Sequence, residues 1–93
     1  MRHFSVNDFI QRPQDLTILD VRTPREWDAL NFGGIHIPLD DLLQRKEELD
    51  ENKEYLVICY NGTQSIIACR LLEAKGFKKL IHLDGGIENY LGS

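Results

Sequence analysis

The sequence predicts an α/β fold in which helices cover both faces of a mostly parallel sheet. Three short apolar runs are continuous rather than alternating, as expected for strands buried on both faces; they span Leu16 to Leu19, Tyr55 to Cys59 and Leu80 to Leu83. Helical patterns lie between the runs, and such alternation favours right-handed crossovers and parallel strands. Because 93 residues suffice for one core, we expect residues 1–93 to form a single domain.

Capping signals specify two helix starts. Each has a hydroxyl residue at the N-cap and an acidic residue three positions later, the pattern of a capping box; the pairs are Ser5 with Asp8, and Thr23 with Glu26. Pro24 favours the second start, since its missing N–H costs nothing at the first helical position. We therefore expect a first helix after Ser5 and a second from Thr23 through Ala29.

Apolar stripes at helical spacing predict two later helices. The first stripe comprises Leu39, Leu42, Leu43 and Leu49, and the second comprises Ile67, Ala68, Leu71, Leu72 and Ala74. Gly76 is expected to cap the end of the later helix. Cys69 lies off the second stripe. We favour a role for it as a space-filling residue over a role as a resolving thiol that would react with Cys59.

Composition excludes several classes of function. Eleven Lys and Arg against fifteen Asp and Glu give a net charge of −4, which argues against binding to nucleic acid or to an anionic membrane surface. We find no signal peptide and no apolar stretch near the ~20 residues of a membrane span. With only two cysteines and no secretion signal, the reducing cytoplasm is the expected compartment.

The most informative segment begins at Cys59, where the second apolar run ends. Ligands of parallel α/β sheets bind beyond the carboxyl ends of strands, and Asn61-Gly62 permits the sharp turn into the next helix. Backbone N–H groups of the turn and of the helix start can then converge. We expect Cys59 at the rim of this anion cradle, its thiolate favoured by dipoles and by the hydroxyls of Thr63 and Ser65. The alternative is a structural, buried cysteine.

Five separated segments resemble the rhodanese domain, a sulfurtransferase module, in the right order along nearly the whole chain. They are Leu19 to Trp27, Ile35 to Leu39, Cys59 to Ser65, Gly76-Phe77 and Leu83 to Gly86. The third matches the family's Cys-x-x-Gly-x-x-Ser loop. The resemblance implies a mostly parallel, five-stranded sheet and a small, single-domain sulfurtransferase.

The resemblance also implies a mechanism. Cys59 would take the outer sulfur of a small anionic donor such as thiosulfate, and a thiol or protein acceptor would remove it from the resulting persulfide. The loop that binds this sulfur would comprise Tyr60, Asn61, Gly62, Thr63, Gln64 and Ser65. No metal or organic cofactor is implied. The alternative is a catalytically weak module for protein binding or redox sensing.

The loop departs from many relatives because Tyr60 and Gln64 stand where they carry Arg, which predicts weak recognition of thiosulfate. Phosphatase and arsenate-reductase loops place an Arg after five intervening residues, a position held here by Ser65. Phosphoryl transfer is therefore disfavoured.

Other polar and aromatic residues are expected to have structural roles. Asp20 and Arg22 are predicted to form scaffold hydrogen bonds and ion pairs. The three histidines, His3, His36 and His82, lack the close spacing of a zinc site, so no metal is expected. Trp27 and Phe32 could belong to the core or border the pocket.

Overall fold

The three apolar runs form the middle of a five-stranded sheet. The computed structural model describes residues 1–92, and its strand order is β1-β5-β4-β2-β3 with every neighbouring pair parallel. The strands are β1 (Arg2–Phe4), β2 (Thr17–Asp20), β3 (Ile35–His36), β4 (Tyr55–Ile58) and β5 (Leu80–Leu83). The predicted mostly parallel sheet is thus confirmed and is parallel throughout.

Within the described residues, five helices connect or follow the strands: α1 (Val6–Ile10), α2 (Pro24–Ala29), α3 (Leu42–Arg45), α4 (Thr63–Ala74) and α5 (Gly86–Leu91). Both capping boxes are confirmed, since Ser5 and Thr23 each exchange hydrogen bonds with the acidic residue three positions later. Gly76 adopts positive φ just after α4, as expected of a cap.

Two predicted helical stripes were partly wrong. The region of α3 is broken by short 3₁₀ turns at Leu39–Asp41 and Lys46–Glu48, and Leu43 is exposed. On α4, Ile67 is exposed and Cys69 is fully buried. The helix is therefore rotated relative to the prediction, because its inner face includes the small residues Ser65 and Cys69 as well as Ala68 and Leu72.

Two apolar clusters lie on opposite faces of the sheet, and side-chain alternation along each strand assigns residues to them. The first cluster joins Val57 and Cys59 to α3 and α4. The second joins Leu56 and Ile58 to α1 and α5. Cys59 therefore points toward the α4 side. Along residues 1–92, none of the helices is long and apolar enough to cross a membrane.

A buried ion pair at the carboxyl end of β2 supports the scaffold. The Arg22 guanidinium donates to both carboxylate oxygens of Asp20 at 2.9–3.1 Å and to the Leu30 carbonyl at 2.6 Å. Nearby, Trp27 stacks on His36 with ring centroids 4.8 Å apart. The predicted scaffold role of Asp20 and Arg22 is confirmed. Phe32 packs against Phe9 as part of the second cluster.

Candidate active site

Cys59 lies directly after β4 and beneath the loop that leads into α4. The backbone N–H groups of Gly62 and Ser65 donate to its sulfur at 3.1 and 3.2 Å, and its thiol donates to the Ser65 hydroxyl oxygen at 3.3 Å. Ser65 lies in the first turn of α4, whose N–H groups lack partners within the helix. The sulfur is thus held by dipoles that favour negative charge.

The position of Cys59 differs from the expected rim. Its side chain has 0% exposure, as does that of Ser65, while the neighbouring Tyr60 is 48% exposed. The cysteine therefore lies at the floor of the loop. The physical reason is that Cys59 continues the buried alternation of β4, so its side chain points into the first cluster under α4.

Two glycines allow the close packing that shapes this loop. Gly62 has φ +90°, which L side chains rarely adopt. Gly86 has φ +68°, and a Cβ there would lie 2.4 Å from the Tyr60 carbonyl oxygen and 2.6 Å from the Gly62 nitrogen. The β5–α5 turn, residues 83–86, is therefore a wall of the site.

The start of α5 also fixes the loop through its backbone. The N–H of Ile87 donates to the Cys59 carbonyl at 3.0 Å, and the N–H of Glu88 donates to the Tyr60 carbonyl at 2.7 Å. Both carbonyls then point away from the sulfur, and the loop presents N–H groups to it.

The remaining loop residues that the sequence nominated do not reach the sulfur with their side chains. Asn61 accepts a hydrogen bond from the Thr63 N–H at 3.0 Å, which stabilises the turn. Thr63 and Gln64 are exposed. Thr63 is the first residue of α4, and donation by its hydroxyl to a bound anion stays a prediction. Among the nominated side chains, that of Ser65 contacts the sulfur.

His82 is a residue of this site that the sequence reasoning missed. Its Nε2 lies 3.0 Å from the Gly62 carbonyl oxygen, and its Nδ1 lies 3.0 Å from Asp84 Oδ1. The sequence signal that could have found it is a histidine inside the apolar run of β5. Its side chain lies on the same face of the sheet as that of Cys59. Only the pairing of β5 with β4, which aligns His82 with Val57, brings it to the loop.

Asp84 also binds His3, whose Nδ1 lies 2.7 Å from the same carboxylate oxygen. These hydrogen bonds, that from His3 first, hold the pKa of Asp84 below its ordinary value. Within residues 1–92, His3, His82 and Asp84 form the one cluster of side chains placed closely enough to bind a metal ion, because their ligand atoms lie within 4.8 Å of one another. Their mutual hydrogen bonds already account for the arrangement.

Cys59 is fully buried, and two concavities of the surface show what lies near it and far from it. One concavity of about 530 Å³ includes Thr17 at the start of β2 and thus lies at the opposite end of the sheet from Cys59. A depression of about 450 Å³ borders the loop at Asn61 and includes the exposed Glu88. The surface beside the loop therefore carries a carboxylate, while residues 59–65 contain no cation.

Comparison with known proteins agrees with this geometry. The chain is 37% identical over 84 residues to the "Putative sulfur carrier protein YrkF" of Bacillus subtilis, covering 89% of this chain and 45% of that protein. It is 30% identical over 74 residues to the thiosulfate sulfurtransferase GlpE of Tolumonas auensis, covering 78% and 70% of the two chains.

The solved structure of a rhodanese-related protein from Thermoplasma volcanium superposes with a TM-score of 0.89 at 29% identity, covering 99% of this chain and 92% of that one. The model of the rhodanese-like domain matches residues 5–93. The fold, the order of the motifs and these relatives agree, and the chain belongs to the rhodanese-like domain family.

Proposed function

We propose that this protein is a sulfurtransferase that carries sulfane sulfur as a persulfide on Cys59. The observation that supports this most strongly is the pair of backbone N–H groups, those of Gly62 and Ser65, that donate to the sulfur, with the Ser65 hydroxyl oxygen 3.3 Å away. Such donors favour a thiolate, which is the nucleophilic form of cysteine. They would also hold the negative terminal sulfur of a persulfide.

The proposed reaction has two steps. The Cys59 thiolate attacks the outer sulfur of a donor, so that the sulfur–sulfur bond of thiosulfate breaks and sulfite leaves with its electron pair. The persulfide then gives its outer sulfur to a nucleophile, such as a thiol, a protein thiolate or cyanide, and the Cys59 thiolate is restored. Neither step needs a metal or an organic cofactor.

The neutral loop bears on the choice of donor. Thiosulfate carries two negative charges, whereas residues 59–65 lack a cation and Glu88 lies on the bordering surface. We therefore propose weak use of thiosulfate, with all six residues 60–65 contributing their backbone to the binding loop. We place the reaction in the cytoplasm, where free thiols persist.

A second candidate is a sulfur carrier with little turnover. The uncharged loop favours it, as does the similarity to a protein named as a sulfur carrier, of which this chain spans 45%. A carrier would load one sulfur and release it only to a specific partner. A protein-binding or redox-sensing module that loads no sulfur is the remaining alternative.

Mass spectrometry of the intact protein tests the proposal. We expect incubation with thiosulfate or with glutathione persulfide to add the mass of one sulfur atom, and cyanide to remove it as thiocyanate. Cys59→Ser should load nothing, and Cys69→Ala should load normally. Repeated release of thiocyanate indicates an enzyme, and a single stoichiometric load indicates a carrier. Absence of any adduct on the folded protein with both donors would contradict both functions.

A further inference from the structure

The carbonyl oxygen of Gly62 is shared by three donors. It lies 3.0 Å from His82 Nε2, 3.3 Å from the Ser65 hydroxyl and 3.3 Å from the Ile66 N–H. A carbonyl oxygen has two lone pairs, so one of the three donors is in excess. Gly62, Ser65 and His82 are all buried, and these groups therefore depend on one another for hydrogen bonds.

The Ser65 hydroxyl has one proton and two neighbours that could accept it. Its oxygen lies 3.3 Å from the Gly62 carbonyl and 3.3 Å from the Cys59 sulfur. When Cys59 is a thiol, the S–H donates to the hydroxyl oxygen and the hydroxyl donates to the carbonyl. When Cys59 is a thiolate it can only accept, so the hydroxyl proton must turn from the carbonyl to the sulfur.

We propose that His82 is a positioning residue that allows this turn. Its Nε2–H keeps the Gly62 carbonyl hydrogen-bonded after the Ser65 hydroxyl has moved to the Cys59 sulfur. Without His82, turning the hydroxyl would leave the buried carbonyl with the single 3.3 Å bond from Ile66. Loss of a hydrogen bond to a buried carbonyl costs about 1 kcal/mol, and that cost would oppose formation of the thiolate.

Two further side chains hold the imidazole in place. Because the Gly62 carbonyl can only accept, Nε2 must carry a proton in this arrangement. Asp84 faces Nδ1 at 3.0 Å, and His3 of β1 shares the same carboxylate oxygen. The titratable groups around the ring are therefore His3, Asp84 and Cys59 of the neighbouring loop. Asp84 therefore orients the imidazole through Nδ1, and Nε2 donates to the Gly62 carbonyl of the loop.

The inference rests on the proposed role of Cys59 as nucleophile, but its test does not require sulfur transfer. The full chain is alkylated with iodoacetamide over a series of pH values, and modification of Cys59 is measured by peptide mass spectrometry. Three variants are compared with the native protein: His82→Gln, His82→Asn and His82→Leu. Gln places an amide N–H near the position of Nε2, whereas the shorter Asn reaches only the position of Nδ1.

We expect the half-maximal pH of Cys59 alkylation to rise by about 0.7 unit in the Asn and Leu variants, as loss of one hydrogen bond worth about 1 kcal/mol would produce. The Gln variant should stay close to the native profile. Asn and Gln are matched polar substitutions, so their difference reports the donor at Nε2 even if Leu prevents folding.

Two results would overturn the inference: native profiles in all folded variants, or equal shifts in Gln and Asn. The unfolding midpoint of each variant is measured in parallel to establish that it is folded. Failure of persulfide formation on a protein with these expected profiles would contradict the proposed function and leave the role of His82 intact.

Discussion

The two cysteines share burial but differ in what surrounds the sulfur. Both are fully buried, and both belong to the cluster on the α4 side of the sheet. Cys59 receives two backbone N–H groups. Burial, followed by the nearby Glu73, raises the pKa of the Cys69 thiol to about 12. Burial is therefore common to both thiols, and the proposal that Cys59 is reactive rests on the backbone N–H groups aimed at its sulfur.

Alkylation gives the largest contrast between the two thiols. With a pKa of about 12, Cys69 holds about three-thousandfold less thiolate at pH 7 than an ordinary cysteine with a pKa near ~8.5. We expect iodoacetamide to modify Cys69 at least that much more slowly than an unstructured peptide cysteine, and Cys59 to react much faster than Cys69. Peptide mass spectrometry resolves the two sites, and equal rates would remove the distinction drawn here.

The dependence of the free energy of unfolding on alkaline pH tests the surroundings of Cys69 separately from those of Cys59. The raised pKa stabilises the folded protein fully below the unfolded value near ~8.5, and this stabilisation is lost as the pH rises through about 12. Between these values the free energy of unfolding should fall by roughly 1.4 kcal/mol per pH unit from this group.

The control for this measurement is Cys69→Ala, which lacks the titrating thiol but retains every Lys and Tyr, the other groups that titrate at alkaline pH. Urea unfolding from pH 9 to 11 should give a shallower decline for the variant than for the native chain. Parallel declines would mean that Cys69 ionises as readily when folded as when unfolded.

A change at Gly86 should disturb the surroundings of Cys59 while leaving those of Cys69 intact. A Cβ at Gly86 would meet the Tyr60 carbonyl at 2.4 Å, so Gly86→Ala should lower the free energy of unfolding by about 3 kcal/mol and displace the loop. Urea unfolding and the rate of Cys59 alkylation measure the two effects.

Gly33 provides the matched control, because it also has positive φ but a Cβ there would have no neighbour within 4 Å. Gly33→Ala should cost only the backbone strain, about 1 kcal/mol, and should leave Cys59 alkylation unchanged. A Gly86→Ala protein no less stable than Gly33→Ala would refute the role given to the β5–α5 turn.

The smallest expected effect is that of the Ser65 hydroxyl. Ser65→Ala removes one of the donors available to the Cys59 thiolate, and loss of a hydrogen bond worth about 1 kcal/mol should slow alkylation at pH 7 by roughly fivefold. In denaturant the native and variant chains must react equally fast. A variant that keeps the native rate when folded would show that backbone N–H groups alone stabilise the thiolate.

Much of the fold is readable from the sequence because its signals are local. The central strands β2, β4 and β5 are continuous apolar runs, and the capping boxes at Ser5 and Thr23 use residues three positions apart. The edge strands β1 and β3 carry no such run, since β1 has two exposed residues out of three and β3 has only two residues. Their pairing depends on neighbours that the sequence pattern does not reveal.

The candidate site likewise combines features that are local in the sequence with features that depend on tertiary contacts. By itself the sequence determined the Cys59 loop, the glycine that permits its turn and the start of the helix that follows, because these lie within seven consecutive residues. Only the tertiary structure decided that Cys59 lies at the floor of the loop, that Cys69 faces the core and that His82 meets the Gly62 carbonyl. The physical reason is that these contacts arise from helix rotation and strand pairing, which join residues distant along the chain.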